Sequence, residues 1–255
     1  MLNISKIIIW DLWKNKAVIA YGILMLTIGW GVFAIEDQPE KAVLSLLRII
    51  LFVQPLVTLL FAGMYYYNSQ EFILLLAAQP VRRNTLFFGV FAGLTAVFTL
   101  IFLLSIGLPV LLFSPNVEGL SLLFAGALLI FIFTALALLV SVYFADKARG
   151  LGFALLLWAF FAFVYDGLLL LFMYQLADYP IERPVLGLLF FNPVDVARIF
   201  VISKTEASAL LGLSGAVFQD FFGAMKGTVI SGCVLATWAL VPLSLAYRKF
   251  NRKDL

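Results

Sequence analysis

The stretch NSQEFILLLAAQPVRRNTLFFG, Asn68 to Gly89, decides how this chain is organised. Long apolar segments flank it on both sides, so it reads as a short loop between two membrane spans. Asn68 and Glu71 stand at capping-box spacing, a signal for the start of a helix. Phe72 to Ala78 is a seven-residue apolar run, far short of the ~20 residues a spanning helix needs. Pro80 ends it, having no N–H to donate, and Arg82 and Arg83 add paired positive charge at the membrane surface. A short capped helix with an apolar face on such a loop is a docking element for a partner. The contact set is Glu71, Phe72, Leu75, Leu76, Pro80, Arg82 and Arg83. The competing reading is a solvated loop with incidental apolar residues.

Composition agrees with a membrane environment. Of 255 residues, 64% are hydrophobic and 12% charged, with mean hydropathy +1.09. Soluble domains carry ~25% charged and ~45–50% apolar residues. Histidine is absent and Cys233 is the single cysteine. An internal disulfide is therefore impossible, and a zinc or copper site of the usual His/Cys kind is not expected.

Residues 1–16 place Ile4, Ile7, Ile8 and Leu12 on one helical face, with Trp10 and Trp13 near it. Lys6, Lys14 and Lys16 can reach lipid headgroups, so the segment reads as an amphipathic interfacial helix. A cleavable signal peptide fits less well, because Asp11 interrupts the segment and no A-x-A site follows. Six apolar spans follow at about 17–35, 46–66, 85–113, 120–144, 151–176 and 227–246. Tyr65, Tyr66 and Tyr67 are expected to form an interfacial belt. Gly89 and Gly93 make a GxxxG that permits close helix contact. Residues 177–226 are the one long excursion, expected to hold one or two short helices at or partly inside the outer leaflet. The fold class is thus an all-α integral membrane protein, a single domain over 1–255 with six transmembrane helices and a cytosolic loop at 67–84.

Charge sets the orientation. Segments 1–16, 67–84, 145–150 and 247–255 carry 3, 2, 2 and 4 Lys/Arg, which is 11 of the 17. Of the 14 acidic residues, 9 fall on the other side, 4 on this side and 1 within a span. The positive-inside rule then puts both termini in the cytosol.

Two polar features stand out from the apolar background. Asp166 sits deep in the fifth span, and a carboxylate at a bilayer centre costs ~2.5–3.5 kcal/mol, so it must face a cavity or a partner. It is read either as a polar point on a translocation path, a lock at a dimer interface, or a protonated acid bonded to nearby backbone. The second feature is FFNPVDVARIF, Phe190 to Phe200. Asn192 favours a turn, Pro193 suits the first position of a helix, and Asp195 and Arg198 share one helical face. That segment reads as an outer cap or as a simple ion-paired helix.

The loop residues Glu71, Pro80, Arg83 and Gly89 resemble the first cytosolic loop of ABC-2-type permeases, with Phe72 and Val90 where the family has glycine and lysine. The run DKARGLGFALLLWAFFAFVYDG, Asp146 to Gly167, followed by NPVDVAR, Asn192 to Arg198, resembles the Nos-type permeases of that family. The carried-over positions are Asp146, Lys147, Ala148, Arg149, Asp166, Asn192, Pro193, Asp195 and Arg198. The resemblance implies a homodimeric permease of the bacterial inner membrane, in which the loop is a coupling helix for two copies of an ABC ATPase subunit. It also implies a periplasmic β-helical accessory protein, a copper chaperone, and a role in assembling the copper–sulfur centre of nitrous oxide reductase. ATP and Mg would bind the ATPase, with no cofactor on this chain. Membrane lipid is a partner and nucleic acid is not. A general ABC-2 exporter of lipid, drug or polymer, or a membrane scaffold for maturation factors, are the competing functions.

Enzymatic readings have little support. HExxH, GxSxG and the P-loop GxxxxGK[ST] are all missing from the sequence. An intramembrane hydrolase on Asp166 would need a second carboxylate at the same depth, and no other span carries one. Met25, Met64 and Met173 can offer thioether contacts to Cu(I), but methionine is more commonly a core gap filler. Single cysteines replacing Asn116, Lys147 and Arg252 test the topology. Membrane-impermeant reagent is expected to label position 116 from outside and the other two only after permeabilisation, and outside labelling at position 147 would overturn the six-span order.

Overall fold

Apolar length sets the architecture. Six helical stretches are long and apolar enough to cross a bilayer: Lys16–Ile35, Pro39–Asn68, Arg83–Phe113, Val117–Tyr143, Lys147–Gln175 and Gly227–Arg252. The computed structural model describes residues 2–77, 82–176, 182–203 and 212–252, which are all helix, turns and short connections. Helix α1 (Leu2–Lys14) is followed by α2 (Lys16–Ile35), α3 (Pro39–Asn68), the short α4 (Gln70–Ala77) and α5 (Arg83–Phe102). A π-helical turn, Leu103–Gly107, joins α5 to α6 (Leu108–Phe113). Next come α7 (Val117–Tyr143) and α8 (Lys147–Ala159), and a second π-helical turn, Phe160–Val164, leads into α9 (Tyr165–Gln175). The chain closes with α10 (Glu182–Leu189), α11 (Pro193–Ile202) and α12 (Gly212–Arg252).

Helix α7 is the axis of the bundle. It is the most deeply buried span and packs on α3 and α12. The α2 span and the α8–α9 span are the least buried of the six. Several boundaries differ from the sequence reading. Helix α3 starts at Pro39, because proline fits a first helical turn without losing a bond. The connection before it shrinks to residues 36–38, and Lys41 becomes part of the helix that spans. Lys147 to Gly150 form the first turn of α8 and not a loop, because the Asp146 carboxylate accepts the Arg149 N–H at 2.8 Å as an N-cap. Within the excursion, α12 begins at Gly212, so its last part extends the final span.

The end of the bundle that carries both termini is tied together. Ile4, Ile8 and Leu12 of α1 are buried, whereas Ile7 is 51% exposed and leaves the expected face. Helix α1 lies across α5, and a Cβ at Gly93 would stand 2.9 Å from the Ile8 Cβ. The GxxxG therefore seats α1, and Ser5 Oγ donates to the Gly89 carbonyl at 3.2 Å. The C-terminal stretch is not a free tail either: Phe250 is buried and meets the Phe87 ring at 5.4 Å. The tyrosine belt is also revised. Tyr66 and Tyr67 are buried, and Tyr67 Oη donates to the Phe144 carbonyl at 2.9 Å, since a buried phenol needs a partner.

Gly93→Leu is expected to unseat α1. Exposing Ile8 and Leu12 would forfeit about 1.5–3 kcal/mol per side chain. Hydrogen exchange over residues 2–14 is expected to rise to that of an undocked helix while the spans stay protected.

Candidate functional site

At the end opposite the termini, α11 is clamped to the π-helical turn of the fifth span. The clamp is Asn192, a fully buried side chain that caps α11. Its Oδ1 accepts the Val194 N–H at 3.0 Å. Its Nδ2 donates to the Phe161 carbonyl at 3.0 Å and to Asp195 Oδ2 at 2.7 Å. Pro193 holds the first helical position, where its missing N–H costs nothing. Short π-helical stretches are frequent at functional sites.

One turn along α11, Arg198 meets two carboxylates. Its Nη1 lies 2.8 Å from Asp195 Oδ1 and 3.3 Å from Asp166 Oδ2. Asp195 is buried, and among the described residues its Oδ1 meets Arg198 as a charge contact without hydrogen-bond geometry. Asp166 and Arg198 remain about one-third exposed, at 35% and 37%. The structure thus brings together four residues from two separate sequence features. It also revises two expectations. Asp166 lies about two thirds along its 29-residue span, beyond the middle. A second carboxylate does stand beside it, supplied by α11 and not by another span, with an arginine between the two.

Helix α11 is not one of the six spans, and burial pushes the Asp195 carboxyl up to about 7. The Arg198 charge opposes that rise, the Asp166 charge adds to it, and the Asn192 amide lowers it. Tyr165 stands close enough to feel the Asp195 charge, and Tyr165 Oη donates to the Leu188 carbonyl of α10. Among the described residues no three His, Cys, Asp or Glu group as a metal site would.

The short helix α4 is the other candidate surface. Ile73 is its buried anchor, Leu76 packs partly against the core, and Phe72 and Leu75 are exposed. Glu71 and Arg82 are exposed as well, and Pro80 lies outside the described residues. Asn68 does not cap α4; it ends α3 and accepts the Lys147 ammonium at 2.7 Å. Arg83 stays exposed and donates across the surface to the Asn251 carbonyl at 3.1 Å. It ties α5 to the end of α12, a role that loop position alone did not suggest.

Residues 70–255 match the family model described as ABC-2 family transporter protein. The chain belongs to the ABC-2 family of transporter permeases. Over 95% of its length this permease is 30% identical to the probable ABC transporter permease protein NosY of Pseudomonas aeruginosa, covering 93% of that protein. It is 28% identical to the protein of the same description from Stutzerimonas stutzeri, over 98% of both chains. A multi-pass membrane subunit of an ABC transporter is therefore the coarse identity.

Sequence reading of this permease missed Arg48, which lines a cavity with Arg198. A lone basic residue in the apolar stretch 42–66 was the available signal. It also missed the indole donors that tie the elements together, Trp158 to the Phe52 carbonyl at 3.1 Å and Trp238 to the Phe190 carbonyl at 2.9 Å.

A carboxyl raised from its ordinary 3.8 to about 7 binds a proton in the folded state that the unfolded chain has already released. The contribution of this one group to stability is therefore greatest at low pH, falls between about pH 4 and 7, and levels above that, with a slope of up to about 1.4 kcal/mol per pH unit. Arg48, Asp166, Arg198 and Tyr165 are the other charged or titratable groups around α11. Thermal unfolding of Asp195→Asn is expected to lose this component, and an unchanged pH profile in the variant would assign the slope elsewhere.

Proposed function

We propose that this chain is the permease half of an exporter driven by a separate ABC ATPase, acting as a homodimer in the bacterial inner membrane with two ATPase subunits on its cytosolic face. The observation that carries this is the surface of α4. Phe72 and Leu75 stand exposed on a helix whose neighbour Ile73 is locked into the core. Helix α4 packs on α3 and α5. Beside it, Trp10, Asp11 and Lys14 of α1 face Tyr65, Asn68 and Phe72 across an open groove of about 840 Å³. A partner that fills this groove would push on two spans at once. The low burial of the α2 and α8–α9 spans supports a second copy of the chain against these faces.

The cargo in this reading rests on the Nos-type resemblance alone. It is a small, sulfur-containing species exported, or handed to periplasmic factors, for copper–sulfur centre assembly in nitrous oxide reductase. A β-helical periplasmic protein and a copper chaperone are the accessory partners of this reading. ATP and Mg act on the ATPase, and this chain contributes the path and the coupling contact. In this reading Asp166 and Arg198, paired at 3.3 Å and partly exposed, are polar points on a path that opens opposite the ATPase end.

Phe72→Asp is expected to release the ATPase from the membrane while the permease still inserts, because burying a side chain of this kind contributes about 1.5–3 kcal/mol to a contact. Co-purification of the ATPase with tagged permease measures it. Undiminished recovery with Phe72→Asp would remove the coupling role from α4.

A further inference from the structure

Arg48 is a guanidinium with no assigned purpose. It lies on α3 nine residues beyond Pro39, roughly 14 Å along the helix at 1.5 Å per residue. Among the described residues it has neither an ion pair nor a hydrogen-bond partner. Ionisable side chains in such segments are normally paired, because an uncompensated charge near lipid is costly. Arg48 instead borders a cavity of about 220 Å³ that it shares with Arg198. The rest of the lining is apolar and includes Leu47, Leu51, Phe52 and Val194.

Arg198 is only partly used by its carboxylates. Both ion contacts run through Nη1, and a guanidinium carries five N–H donors. Its Nη2 and Nε donors, and all those of Arg48, are unengaged among the described residues. Two guanidiniums lining one apolar-walled space, Arg48 from its exposed side, are the donor set that suits a phosphate-like or carboxylate group. The apolar walls strengthen the charge attraction by lowering the local dielectric. A neutral apolar guest would leave these donors unmet.

We propose that Arg48 and Arg198 form a binding site for an oxyanion group of phosphate size, carried either by a small soluble anion or by an anionic lipid headgroup. The site needs neither an ATPase nor transport, so it stands or falls apart from the exporter reading. Arg48→Gln is the decisive variant, since no ion pair or hydrogen bond among the described residues depends on Arg48. Lys41→Gln, a charge change on the same helix outside the cavity lining, is the control.

The full chain is placed in phosphatidylcholine nanodiscs and its unfolding midpoint followed against inorganic phosphate or sulfate at constant ionic strength. A parallel series adds phosphatidylglycerol to the nanodiscs and counts retained lipid by native mass spectrometry. A saturable midpoint rise with the soluble anions, kept in Lys41→Gln and weakened roughly tenfold or more in Arg48→Gln, assigns a soluble anion. Retention of phosphatidylglycerol with the same dependence on Arg48, without a soluble-anion response, assigns a headgroup. No response in the wild-type chain, or equal responses in Arg48→Gln and wild type, overturns the site.

Discussion

The guanidinium of Arg198, held between Asp166 and Asp195, is the contact on which the end of the bundle opposite the termini depends. It joins α11 to α9, two elements between which the chain places α10. Without it, Asp195 would be a buried charge facing Asp166, and α11 could not lie against the spans at acceptable cost. With it, each carboxylate has a positive partner, and Asn192 completes the clamp by engaging the carbonyl that the π-helical turn presents. The widened turn and the capped helix fit each other: one offers a backbone acceptor, the other a donor that no solvent could supply there.

The same accounting runs through the spans. In lipid, polar groups must find partners inside the protein. Tyr21 Oη donates to Gln54 Oε1 at 2.7 Å, and Gln54 Nε2 donates to Thr58 Oγ1 at 3.3 Å. That chain ties the sparsely buried α2 to α3. The indoles of Trp158 and Trp238 reach backbone carbonyls on neighbouring elements in the same way. Apolar packing places the helices, and these few directional bonds fix how each one is rotated.

At the other end, α1, α4, α5 and the close of α12 form a connected collar. Ile4 and Ile8 press on the two glycines of α5, Phe250 packs on Phe87, Arg83 reaches Asn251, and Lys147 reaches Asn68. A force applied at α4 therefore meets a packed unit and not a set of loose tails. That rigidity is what a coupling contact requires, and it arises from side chains that a loop-by-loop reading treats as independent.

The sequence by itself determined the class, the number of spans and the existence of a short apolar helix after the second. Each of these follows from apolar content summed over a local window, set against the thickness of a bilayer, and local sums are readable without coordinates. Asn192, Pro193, Asp195 and Arg198 were legible as a helix start with a shared face, because caps and three-residue spacing are also local. Tertiary structure alone decided that Asp166 joins that face, that Arg83 reaches the end of α12, that Tyr66 and Tyr67 are buried, and that Arg48 shares a cavity with Arg198. These are pairings between residues distant in the chain. They depend on how helices are rotated and packed against one another, and hydropathy along a single segment carries no record of which neighbour its polar side chains will meet.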